Sequence, residues 1–149
     1  MKNIRKVFCS VLVLSFFATL LSCGEDMNYR KACEKKDWPK AYDIAYKIKE
    51  KGQPYYEKYV SANGARYGWA LEAKAKYDHQ EQQYQEAIRY IVLQEAMTVL
   101  DENGENGIMR IIAIAKEHKA ESWLFRELIE IAQQSGDESL VSRLQGIRR

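Results

Sequence analysis

From Asp78 to Leu100 the chain reads DHQEQQYQEAIRYIVLQEAMTVL, and the spacing of its apolar residues decides the fold. Ile88, Val92, Ala96 and Val99 recur at intervals of four and three, the period of a helix rather than the alternation of a strand. Ile91 and Leu100 widen the stripe, so this helix, started by Asp78, is expected to be touched from more than one side. The three-and-four spacing holds in most of the chain beyond residue 26, with only Pro39 and Pro54 to interrupt it. The expected fold is all-α: stacked antiparallel helical hairpins of about six or seven helices, in an irregular bundle or a repeat.

Upstream, a first short helix is expected over Asn28 to Lys36, with Tyr29, Ala32 and Cys33 inward. Asp37 can cap the next, which tolerates Pro39 in its first turn. Trp38, Ala41, Ala45 and Ile48 form one face of it, and Gly52 and Pro54 are expected to close it. From Tyr55 to Tyr77 two readings stand. Either Asn63-Gly64 stops one helix and begins another, or Gly64 and Gly68 lie on one face of a single helix, which is the expectation adopted.

Downstream, Asp101 to Gly107 contains two Asn-Gly pairs and reads as a loop. Ile108, Ile111, Ile112 and Ala115 then form a helical face ending near His118 and Lys119. Ser122 is expected to cap a helix carrying Leu124, Leu128 and Ile131 that stops at Gly136. Asp137 restarts the chain, with Leu140, Leu144 and Ile147 on its face. Ser135-Gly136-Asp137 is so short that the last two helices must be antiparallel neighbours.

The amino-terminal end is different in kind. Lys2, Arg5 and Lys6 precede an apolar run from Val7 to Leu21, then Leu20-Leu21-Ser22-Cys23. That run of 15 residues is shorter than the ~20 a membrane-crossing helix needs, and a small residue stands at the junction. The segment resembles the lipobox signal of bacterial lipoproteins. The resemblance implies that residues 1–22 are removed and that Cys23 is acylated and tethers the chain to a membrane. Residues 23–27 are then a short linker, and 28–149 a single helical domain. Gly24, where an inner-membrane lipoprotein would carry Asp, implies the outer membrane. Glu25 and Asp26 fit either a surface-export signal or a solvated linker, so the membrane face stays open.

Without its first 22 residues the chain holds 20 basic and 21 acidic side chains. The two signs are separated: residues 30–76 carry 12 Lys or Arg against 6 acids, and residues 77–149 carry 8 against 13. The basic half can either rest on acidic head groups or be ordinary solvated helix surface. Cys33 is the one cysteine left once Cys9 and Cys23 are accounted for, which excludes an internal disulfide framework and points to core packing.

Trp38 with Ala41, and Tyr84 with Ala87, place an aromatic residue three before an alanine, a pattern similar to the tetratricopeptide class of helical hairpins. The two alanines are 46 residues apart instead of that family's 34. Gly136 with Leu140 and Val141 is a weaker third echo. What the resemblance implies is architecture, with a concave face for a peptide or protein partner.

Chemistry-bearing constellations are sparse. His79 and His118 are 39 residues apart and form no ligand spacing, so no metal or cofactor is expected. Solvated structural roles at a helix start and a helix end are expected for them. The acidic run at 101–107 fails as a calcium loop, with Asn106 where Gly is needed and Ile112 where Glu is needed. No nucleophile, phosphate loop or dinucleotide fingerprint appears, and the chain is read as non-enzymatic. An envelope hydrolase using scattered carboxylates is the remotest alternative.

The unusual load is aromatic: all ten Tyr, with Trp38 and Trp69, fall between residues 29 and 90. Tyr rings suit packed rims and binding grooves alike. The expected function is a lipid-anchored adaptor that binds an envelope protein through Trp38, Tyr42, Tyr46, Tyr59, Tyr67 and Trp69. The alternative is a small-ligand or glycan binder, or an inhibitor-like immunity lipoprotein using the acidic residues near 101–105. No nucleic-acid partner is expected, and oligomeric state is not encoded in any of these features.

Overall fold

The computed structural model describes residues 26–63 and 67–147. Cys23, the segment before it and Gly64 lie outside the described residues. Every described element is helical: α1 (Asp26–Glu34), α2 (Trp38–Ser61), α3 (Gly68–Asn103), a 3₁₀ turn (Gly104–Gly107), α4 (Ile108–Glu117), α5 (Glu121–Ser135) and α6 (Glu138–Ile147). The expected all-α class holds. No described helix is long and apolar enough to cross a membrane. The contacts divide the chain between Ile91 and Val92 into two compact units.

Three helix ends share one device. Lys36, Lys119 and Gly136 take left-handed backbone angles, with φ of 57°, 53° and 73°. In each case the next amide turns back onto the helix just finished: Asp37 N–H donates to the Ala32 carbonyl, Ala120 to Ala115, and Asp137 to Ala132, at 2.9, 2.7 and 3.0 Å. This closing motif satisfies carbonyls that a helix end would otherwise leave open. The residue after each left-handed position then starts the next helix. Asp37 accepts from the Lys40 amide at 3.3 Å and Asp137 from the Leu140 amide at 3.0 Å.

The unit up to Ile91 is built on a long antiparallel pair. The sequence reading closed α2 at Gly52 and Pro54, but the helix runs through both to Ser61. Pro54 is tolerated because it and Glu50, whose carbonyl loses its helical donor, are both exposed, so water takes the place of the missing bond. Gly52 lies where α3 comes close, and a Cβ there would stand 3.2 Å from Gln80 Cβ. The single helix expected over Tyr55–Tyr77 is also corrected: α2 stops at Ser61, Asn63 is left-handed (φ 51°), and α3 starts at Gly68, ten residues before Asp78. Ala41, Ala45, Ala70, Ala73 and Ala87 are buried along this pair, with Ile48, Ile88 and Ile91. Small side chains let the backbones approach. Helix α1 packs on α2 across the Lys36 corner and buries Tyr29, Ala32 and Cys33.

The unit from Val92 is packed differently. The end of α3 buries Val92, Ala96 and Val99 of the expected stripe together with Glu95 and Met97, while Leu100 is half-buried. The expected loop at 101–107 is instead the last turn of α3 followed by the 3₁₀ turn. Asn103 Nδ2 donates back to the Val99 carbonyl at 3.2 Å. Gly107 is required here, since a Cβ would meet Val99 Cγ1 at 2.7 Å and its carbonyl oxygen at 2.9 Å. Ser122 does not cap α5. The helix starts at Glu121 behind Ala120, which gives no side-chain cap and is itself fully buried. α5 packs against α6, with Leu124, Phe125, Leu128 and Ile129 facing Val141 and Leu144 in one apolar core.

Candidate functional site

Antiparallel pairing of α2 with α3 turns the scattered tyrosines into rungs. Tyr46 of α2 lies against Tyr84 of α3 with ring centres 6.1 Å apart, and Tyr56 against Tyr77 at 5.0 Å. Tyr29 of α1 meets Tyr90 edge-on at 5.7 Å. Rings at these separations attract beyond the area they bury, by about 0.5–1.5 kcal/mol a pair. Burial, helped by neighbouring tyrosines and acids, pushes the Tyr84 hydroxyl above its ordinary range. Burial also raises that of Tyr90, with Cys33 the next cause. Both therefore stay neutral hydrogen-bonding groups at physiological pH.

At the end of the hairpin the rings are uncovered. Tyr67 and Trp69 stack nearly parallel, 8° apart at 6.1 Å, and are 62% and 47% exposed. Tyr55, Tyr56, Val60 and Leu71 are also exposed in this unit. Lysines accompany the rings. Lys58 Nζ lies 5.7 Å from the Trp69 ring centre and Lys76 Nζ 5.7 Å from that of Tyr55. Lys76 also pairs with Glu72 at 2.8 Å, and Lys74 with Asp78. The hydrogen bond that Lys76 donates to Glu72, then the charge of that carboxylate, hold the Lys76 ammonium above its ordinary range. These cations stay charged.

The six residues singled out from sequence thus fall into two groups. Trp38, Tyr42 and Tyr46 recur at every fourth position of the first half of α2, half-buried except for exposed Tyr46. Tyr59, Tyr67 and Trp69 belong to the hairpin end. Trp38 and Tyr59 are 21 residues apart on one helix, a separation of roughly 31 Å, so the six do not line one groove. Tyr55, Tyr56, Val60, Leu71 and the two ring-capping lysines were missed. The Tyr55-Tyr56 doublet was the available signal.

Two other features complete the described surface. A shallow open groove of about 480 Å³ runs between α1 and α2, lined by Asn28, Ile44, Lys47, Ile48, Glu50 and Lys51. In the unit from Val92, the buried Glu95 carboxylate lies 4.0 Å from Arg110, and His118 ends α4 half-buried. Burial lowers the His118 pKa, against the opposing charges of Glu117 and Glu95, so the solvated role expected for it is corrected. No group of three or more potential metal ligands occurs among the described residues.

Comparison with protein families, with curated proteins and with solved structures found no match.

Proposed function

We propose that this chain is a non-enzymatic interaction module of the bacterial envelope, held at the outer membrane by lipid on Cys23 and binding another envelope protein. The observation that carries the reading is the stripe of Trp38, Tyr42 and exposed Tyr46 at every fourth position of α2, with the Tyr84 ring against that of Tyr46. Exposed Tyr and Trp are the residue types that dominate binding energy in protein interfaces. The anchor rests on the Leu20-Leu21-Ser22-Cys23 junction, and stacked hairpins of the tetratricopeptide kind are the architecture the reading adopts. Trp38, Tyr42 and Tyr46, with Tyr84 beside Tyr46, form the partner-facing stripe.

Photocrosslinking in cells from position 42 or 46 is expected to capture one protein species. Tyr46→Ala combined with Trp38→Ala is expected to lose that capture while helical content is kept. Capture unchanged by both substitutions would remove the stripe from the site. A glycan in place of a protein on the crosslinker would favour the ligand-binding alternative. Mass spectrometry of the chain isolated from cells tests the anchor separately, through the mass added at Cys23 and the loss of residues 1–22.

A further inference from the structure

The hairpin end differs from the partner-facing stripe in exposure, charge and the direction from which the chain reaches it. Its rings stand outward where α2 ends and α3 begins, with Tyr67 and Trp69 largely uncovered. Its composition mixes Trp and Tyr with lysines whose ammonium groups reach across the rings. Over residues 55–78 the sequence carries Lys58, Arg66, Lys74 and Lys76 against Glu57, Glu72 and Asp78, four positive against three negative charges, and Lys58 is not in either of the ion pairs named above. Amphipathic aromatic rings settle at the level of lipid head groups, and Lys stems lie along apolar surface while their charges stay in water.

The third observation is directional. α1 runs back along α2 from the Lys36 corner, and Asn28 near its start shares a groove with Ile48 and Lys51. From Lys51, α2 continues ten residues to Ser61, roughly 15 Å further. The start of α1 therefore lies toward the same end of this unit as the uncovered rings. Cys23 lies three residues before Asp26, a reach of at most about 10 Å. A lipid on Cys23 would thus be tethered within that reach of the start of α1.

We propose that the end of the α2–α3 hairpin is a membrane-seating surface, in which Tyr55, Tyr56, Val60, Tyr67, Trp69 and Leu71 enter the head-group layer of an acidic phospholipid bilayer. The proposal rests on the anchored reading for how the surface is delivered, but the surface itself binds lipid without the anchor. Seated in this way, the unit is held upright on its tether, with the Trp38–Tyr42–Tyr46 stripe further from the bilayer and open to a partner.

The test uses the chain from residue 23 with Cys23→Ser, so that no acyl group contributes. It is expected to co-sediment with vesicles of phosphatidylethanolamine and phosphatidylglycerol, less with phosphatidylcholine alone, and less again in high salt. Tyr67→Ser with Trp69→Ser is expected to reduce partition on the order of tenfold while leaving the thermal melt in place. Lys58→Glu with Lys76→Glu is expected to weaken binding to the acidic vesicles and leave the phosphatidylcholine baseline unchanged. Absence of partition by the Cys23→Ser chain, or partition indifferent to both double substitutions, would overturn the proposal. So would a photocrosslinker at position 69 that captures protein instead of lipid. An unmodified Cys23 in cells would remove the anchor yet leave vesicle partition as it is, so the two failures are told apart.

Discussion

The units on either side of residue 91 are both helical hairpins, but they are packed from different materials. Up to Ile91, six of the eleven buried apolar residues are alanines: Ala32, Ala41, Ala45, Ala70, Ala73 and Ala87. From Val92 onward, alanine supplies four of fifteen, and five of the six largest fully buried side chains are found there: Val92, Ile111, Leu124, Leu128 and Leu144. The first unit holds its helices by close approach and by ring pairs along the rim. The second holds them by aliphatic volume. Charge follows the division more weakly: residues 24–91 carry 13 Lys or Arg against 11 acids, and residues 92–149 carry 7 against 10. A unit packed on alanine has its large rings left over for the surface. The exposed aromatic residues therefore gather in one half.

The contrast breaks first where volume is removed. Leu128→Ala is expected to cost about 3 kcal/mol, because the side chain is 1% exposed and its neighbours cannot collapse fully onto the cavity. Urea unfolding followed by circular dichroism measures it, and a loss below about 1 kcal/mol would contradict aliphatic packing. The opposite change probes the first unit. Ala87→Leu, at a fully buried position, is expected to cost about 2 kcal/mol by overpacking, where a loosely packed interface would accept it without loss.

The corners sharpen the comparison from a smaller effect. Lys36→Gly in one unit and Lys119→Gly in the other are each expected to raise stability by about 1 kcal/mol, since both lysines occupy left-handed backbone that a Cβ disfavours. Equal gains would show that the two units share their corners even though they differ in their cores. Gly136→Ala should act in the reverse sense.

The pH response is expected to separate the units last. His118 has a pKa lowered by burial, so the unfolded chain takes up a proton before the folded one does. Stability should therefore fall as pH drops below the unfolded value of about 6.5, until the folded pKa is passed. His118→Gln is expected to flatten that slope, read as the melting temperature across a pH series. A slope unchanged by the substitution would assign it to other groups.

How much was legible follows from where the signals were chemical. Asp37 and Asp137 carry their own capping oxygens and Gly136 its own backbone freedom, so those two corners could be read from sequence. The corner at Lys119 could not. Its left-handed residue is a lysine and Ala120 has no capping side chain, so Ser122 drew the prediction two residues too far. Gly52 and Pro54 misled because local punctuation was overridden by tertiary packing: the missing Cβ serves the approach of α3, and the lost amide costs little on the wet side of the helix. The aromatic surface was half legible. Residue type pointed to Tyr59, Tyr67 and Trp69, but the register that uncovers Tyr67 and Trp69, leaves Tyr59 half-buried and pairs Tyr46 with Tyr84 belongs to the hairpin as a whole.

The three matching corners also bear on how quickly the molecule is made. Each joins consecutive helices through a single left-handed residue closed by hydrogen bonds reaching only a few positions back, so most of the search for the native state is local. Proteins dominated by such short-range contacts fold within microseconds to milliseconds. A chain emerging with its amino terminus first can shut α1 against α2 before α3 exists. That ordering leaves little time for unpaired apolar faces to meet those of another molecule.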